Sequence, residues 1–111
     1  MKRLLAALAF AGVFLCLPAY ALVLDIPLPP ARYDRAYTGE LKTINADIAD
    51  VHKLCGSPYG LRVFACAKPD IGKCTIVLPR VEDGGVTKQQ RERLRRHEIG
   101  HCNGWPADHP R

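Results

Sequence analysis

The alternation of apolar and polar positions divides the chain into distinct stretches. Residues 4–17, "LLAALAFAGVFLCL", are an unbroken apolar run. The following "LDIPLPPARYDRAYTGE" carries Pro27, Pro29 and Pro30. These favour extended backbone and forbid a helix interior, so residues 22–38 read as a proline-rich arm lying over a domain or tethering it. From residue 40 to 54 the pattern turns periodic. Leu41, Ile44, Ile48, Val51 and Cys55 recur at steps of three and four, with Thr43, Asp47, Asp50 and Lys53 falling mostly elsewhere. That spacing predicts one amphipathic helix, stopped by Gly56-Ser57-Pro58. His52, in its last turn, reads as a cap or surface residue.

"YGLRVFACA" and "KCTIVLP" are rich in Val, Phe, Ile and Thr and are joined by "KPDIG". They predict a β-hairpin. "RVEDGGV" is a turn pivoting on Gly84-Gly85. A second helix is then predicted from Thr87, whose pairing with Gln90 three residues on makes a T-x-x-Q capping box. It runs through "KQQRERLRRHEIGHC" to a stop at Asn103-Gly104, and Pro106 prevents a restart. The expected fold class is a small α+β domain over residues 39–111: a backing helix, a β-hairpin or small sheet, and a final helix with a tail.

The apolar run acquires a meaning from its flanks. Lys2 and Arg3 precede it, Pro18 breaks it, and Ala19-Tyr20-Ala21 follows as a small-x-small cleavage signal. Residues 1–21 therefore read as a signal peptide cut after Ala21, rather than an uncleaved anchor, for which the run is short. Cys16 does not suit lipidation, because Phe14 and Leu15 stand where small residues are needed. The expected location is periplasmic or secreted, with no membrane anchor after cleavage. Removal of Lys2 and Arg3 lowers the formal net charge from +5 to +3. That mild basicity suits an anionic surface such as cell-wall polymer, and export argues against a nucleic-acid partner.

Four cysteines remain: Cys55, Cys66, Cys74 and Cys102. An even count in a small exported chain without a CxxC pair reads as two disulfides. Three pairings exist. Cys66 and Cys74 flank the expected hairpin loop, which favours Cys66–Cys74 with Cys55–Cys102.

Candidate chemistry is concentrated in "RHEIGHCNGWPADHPR". His97 and His101 are four apart, so one helix face presents both imidazoles to one metal ion. Glu98 is placed to reach a water on that metal rather than the metal itself. A carboxylate there can take the water's proton and later deliver it to a leaving amine. The bland reading is a solvated helix with histidines on its surface and Glu98 ion-paired to Arg95 or Arg96. Arg91, Arg93, Arg95 and Arg96 themselves read as a solvated surface rather than an anion site.

Here the chain resembles the zincin metallopeptidases, which carry H-E-x-x-H on a helix behind a sheet whose edge strand aligns the substrate. The resemblance implies Zn2+ as cofactor, His97 and His101 as ligands and Glu98 as general base. "HEIGHCNG" also resembles the metzincin pattern H-E-x-x-H-x-x-G-x-x-H as far as Gly104. It then departs, because the third ligand would fall on Ala107. No glutamate lies beyond Glu98, so a downstream glutamate ligand is excluded. The ending is similar to that of small exported bacterial proteins with H-E-x-x-H-C-N-G-W-P-x-x-H. From the residues themselves, Trp105-Pro106 makes a stiff link after which His109 can swing back over the helix end. His109 is the expected third ligand, since three neutral imidazoles leave the open position that catalytic zinc needs. Asp108 is the alternative, as ligand or as an acceptor holding a histidine ring. Trp105 is expected to pack beneath the site.

The expected function is an exported zinc-dependent hydrolase, a metallopeptidase with a shallow site. Its substrate would be a peptide, a protein or peptidoglycan, and a protein partner could help select it. The alternative is a non-catalytic exported binding protein with a structural zinc site or none.

Overall fold

The structure is a computed structural model that describes residues 26–57, 63–81 and 85–111. The signal peptide, Cys16, residues 22–25 of the arm, the start of the first hairpin segment (59–62) and Gly84 lie outside the described residues. The element order is β1 (Glu40–Ala46), α1 (Ile48–Cys55), β2 (Cys66–Asp70), β3 (Lys73–Pro79) and α2 (Lys88–Cys102). The three strands form one mixed sheet in the order β1-β3-β2. β1 runs parallel to β3, and β2 antiparallel. This is an α+β fold with a helix on each face of a small sheet.

The central strand explains the layering. β3, "KCTIVLP", is a nearly continuous apolar run, as expected of a strand covered on both faces. Cys74, Ile76 and Leu78 turn to one side and pack with Leu94 and Ile99 of α2. Val77 turns to the other and packs with Ala46 and with Val51 of α1. Ile76, Leu78 and Val51 are fully buried. Each such side chain contributes roughly 1.5–3 kcal/mol of transfer free energy.

The single helix expected over residues 40–54 is corrected: its first half is β1 and only its second half is helical. The physical reason lies in the two-sided sheet. Leu41 faces the α2 layer, while Ile44 and Ala46 face the α1 layer. An apolar step of three then arises from alternation between two buried faces, and it imitates helical periodicity. Parallel pairing with β3, from Glu40 opposite Lys73 to Ala46 opposite Pro79, supplies the tertiary contacts that override local propensity.

The hairpin forms, but its first strand is displaced towards the turn. Of the described residues in the segment expected over 59–67, only Cys66 and Ala67 lie in β2, while residues 63–65 are irregular. The turn is also tighter than expected. Lys68, Pro69 and Asp70 belong to β2, and only Ile71 and Gly72 turn the chain. Gly72 takes φ 70, and the Asp70 carboxylate accepts from the Ile71 N–H at 2.8 Å.

Both disulfides exist, with the opposite pairing: Cys55–Cys66 and Cys74–Cys102. The register explains the correction. Cys66 stands opposite Val77 and Cys74 opposite Pro69, three rungs apart. Cys66 also packs in the α1 layer and Cys74 in the α2 layer. Thiols on opposite faces of a sheet cannot bridge. Cys55–Cys66 ties α1 to β2, and Cys74–Cys102 ties the central strand to the last residue of α2. Two disulfides fit an oxidising, extracellular kind of compartment. Among the described residues no helix is long and apolar enough to cross a membrane.

Candidate metal centre

α2 begins where the capping box places it. Thr87 Oγ1 accepts from the Gln90 N–H at 3.1 Å, and the Gln90 side chain accepts from the Thr87 N–H at 2.7 Å. The helix stops at Asn103, and Gly104, at φ 102, lets the chain turn back. The Trp105 N–H donates to the Gly100 carbonyl at 3.0 Å, which folds the tail onto the helix end. Trp105 Nε1 donates to the Pro110 carbonyl at 2.8 Å, and the His109 N–H donates to the Pro106 carbonyl at 3.0 Å. These bonds bracket His109 on both sides. His109 adopts φ 57, which costs a non-glycine residue roughly 1–2 kcal/mol. The tail is held in an unfavourable conformation that delivers this one imidazole.

The result is a triangle of ring nitrogens. Nε2 of His101 lies 3.2 Å from Nε2 of His97 and 3.1 Å from Nε2 of His109. The third edge, His109 to His97, is 3.1 Å. His97, His101 and His109 are the group among the described residues able to hold a metal ion. Asp108 is not part of it and is exposed, so the sequence alternative of an aspartate ligand is not what the geometry brings together.

The donors fit a cation on chemical grounds. Nδ1 of His97 lies 2.6 Å from the Pro27 carbonyl oxygen, and Nδ1 of His101 lies 2.7 Å from that of Trp105. A carbonyl only accepts, so each Nδ1 carries the proton and each neutral ring turns a bare Nε2 lone pair inward. Facing lone pairs at this separation repel. One proton could relieve one edge of the triangle, whereas a metal ion relieves all three. Tetrahedral zinc with bonds of about 2.0 Å needs nitrogens about 3.3 Å apart, close to the edges found. The two carbonyls also orient the rings as outer partners of metal-binding histidines commonly do.

Trp105 forms the floor. It is 3% exposed and stacks on the His101 ring, with centroids 4.9 Å apart and planes 13° apart. It meets the other two rings edge-on, at 5.0 Å for His97 and 4.9 Å for His109. The expectation that Trp105 packs beneath the site holds.

Desolvation dominates the electrostatics. Burial lowers the His97 pKa to about 4, reinforced by the nearby His101 and His109 and opposed by the bond to Pro27. His109 is also lowered, first by burial and then by His101, with Asp108 acting the other way. Both rings therefore stay neutral near pH 7, the state a metal requires. Glu98 is only 5% exposed, and burial raises its pKa to about 8. Among the described residues no hydrogen bond to its carboxylate is formed, and it is not ion-paired with Arg95 or Arg96.

Those arginines do something the sequence did not reveal. Arg96 forms a forked ion pair with Asp34, Arg93 donates to the Ile26 carbonyl, and Arg91 donates to the Asn45 side chain. Arg95 lies 3.4 Å from Glu92 on its own helix. Three of the four arginines thus hold other segments against α2 instead of merely facing water. Gly100, in the last turn of α2 and between its two histidine ligands, has a role that only the fold displays. A Cβ there would meet Pro29 Cβ at 2.7 Å and Trp105 Cε3 at 3.2 Å. A glycine inside a helix weakens it, which is a legible sign of close approach, although the approaching partner is not.

Two surface grooves lie away from this centre. One, lined by Asp34, Arg35, Arg95, Arg96 and Ile99, runs between the arm and α2. The other, with Lys42, Lys68, Lys73 and Thr75, crosses the three strands near the β2–β3 turn. Neither contains a site histidine. Comparison with protein-family models, with curated proteins and with solved structures finds no match to this chain.

Proposed function

We propose that the protein is an exported zinc-dependent hydrolase, a metallopeptidase of zincin-like design, that cleaves amide bonds in peptides, proteins or peptidoglycan. The observation that carries this reading is the inward-facing Nε2 triangle with Glu98 one residue after its first member. When bound, zinc supplies Lewis acidity, lowering the pKa of a coordinated water and polarising a scissile carbonyl. The chain's own residues do the rest. His97 and His101, locked as Nδ1–H tautomers by Pro27 and Trp105, present neutral donors. His109 completes the set from the tail and leaves one side open. Glu98 accepts the proton of the attacking water on a carboxylate oxygen and returns it to the leaving nitrogen. Burial gives Glu98 the proton affinity this relay needs, and a cation at the histidines draws its pKa down towards neutrality. Trp105 keeps the inner side of the site apolar. Export to the periplasm or the exterior agrees with the two disulfides.

The test is Glu98→Ala in a chain purified without a histidine tag. We expect zinc to be retained and hydrolysis of peptide or peptidoglycan substrates to fall by roughly 10²–10⁴-fold. One observation favours a second reading, a non-catalytic binding protein with a structural zinc: Glu98 is almost wholly covered. Equal inertness of wild type and variant on all of these substrates would support that second reading.

A further inference from the structure

The arm of residues 26–38 is joined to α2 by contacts that converge on the metal centre. Pro27 places its carbonyl on Nδ1 of His97. Pro29 is buried against Gly100, where no side chain leaves room for it. Arg93 holds the Ile26 carbonyl, and Arg96 holds Asp34. Asn103 donates to the carbonyls of both Tyr33 and Arg35, at 2.9 and 2.7 Å. The arm is itself folded for this purpose: the Tyr33 and Asp34 N–H groups both donate to the Pro30 carbonyl, at 2.8 and 3.0 Å. These contacts come from successive positions along one side of α2, interleaved with the two ligands.

Resting on the metal reading above, we propose that the arm is a clasp whose docking is thermodynamically coupled to metal binding. Docked, it fixes the His97 ring with its Nε2 lone pair turned inward. Released, it leaves His97 free to rotate and to exchange tautomers, so the triangle loses one preorganised corner. Metal at the triangle in turn fixes His97 and favours the docked arm, because coupling between two binding events is reciprocal. The contact is supporting and not inhibitory. The arm touches Nδ1, on the side of the ring away from the triangle, and among its described residues none brings a group to the ligand nitrogens.

Pro29→Gly tests this without altering a ligand, a residue of the tail or the helix. Zinc affinity is measured by competition with a chelator. Separately, trypsin cleavage after Arg32 and Arg35 is timed with and without zinc. We expect Pro29→Gly to weaken zinc roughly tenfold, and zinc to slow cleavage of the wild-type arm by a comparable factor. Should Pro29→Gly fail to fold, Asp34→Ala supplies a smaller shift in the same direction. Equal zinc affinity in wild type and variant, or an arm cut equally fast with and without zinc, overturns the clasp while leaving the metal centre standing. A folded wild-type chain that binds no zinc overturns both.

Discussion

The two faces of the sheet are built alike and equipped differently. Each carries one helix, one apolar cluster and one disulfide. On the α1 face an eight-residue helix buries Val51, and Cys55–Cys66 closes the layer. Its one histidine, His52, is only partly buried and takes no part in the metal centre. On the α2 face a fifteen-residue helix buries Leu94 and Ile99, and it also buries Glu98 and Gly100, two residues that lower helix or core stability in isolation. That face further holds a desolvated imidazole, a left-handed His109 and a strapped arm. A fold this small cannot carry many such costs, and it confines them to one side. The costs gather on the α2 face, the face that carries the three histidines able to hold a metal ion.

The disulfides should break this comparison most sharply. Replacing Cys55 and Cys66 together by serine removes the shorter cross-link, and a loss of about 3 kcal/mol in urea unfolding is expected, with zinc affinity of the folded chain unchanged. Replacing Cys74 and Cys102 removes the longer one, with about 3–4 kcal/mol lost, and also weakens zinc, because Cys102 anchors the residue beside His101. Equal zinc affinities in the two double variants would remove the distinction between the faces. A core substitution gives a smaller effect. Val51→Ala should cost about 2 kcal/mol and leave chelator-competition affinity untouched.

A pH series sharpens the other face. The folded, metal-free chain keeps a proton on Glu98 up to about pH 8, whereas an unfolded chain releases it near 4.5. Between those values the folded state binds more protons, so stability falls as pH rises. The slope approaches about 1.4 kcal/mol per pH unit for one full proton. Unfolding curves at pH 5 and pH 8 should show this decline, Glu98→Gln should flatten it, and zinc should reduce it. His97, lowered to about 4, slopes the opposite way. Its contribution is present above its ordinary value of 6.5 and is lost as pH falls towards 4.

Which parts of this were legible in the sequence follows from the range of the forces involved. The α2 limits were readable because Thr87, Gln90 and Gly104 act within a turn of one another. The convergence of His97, His101 and His109 was readable because spacing on a helix and a short stiff tail leave few alternatives. β1 was not, since Leu41 and Ile44 answer to opposite layers that a single sequence does not display. The disulfide pairing failed for the same reason: it depends on which sheet face each cysteine occupies, and that is set by the register with β3. The arm's role was hidden in Gly100, whose missing side chain makes sense only once Pro29 is seen against it. In the sequence the arginines look solvated, because their partners Asp34 and Asn45 lie far off along the chain.

The central claim is that three histidines, with the third supplied by the tail, form one metal centre. Zinc content per chain tests it most directly, measured on untagged wild type, His109→Ala and Asp108→Ala. The account predicts about one zinc per chain in wild type, retention in Asp108→Ala and loss in His109→Ala. A folded wild type without metal, or zinc that survives His109→Ala and disappears in Asp108→Ala, would contradict it.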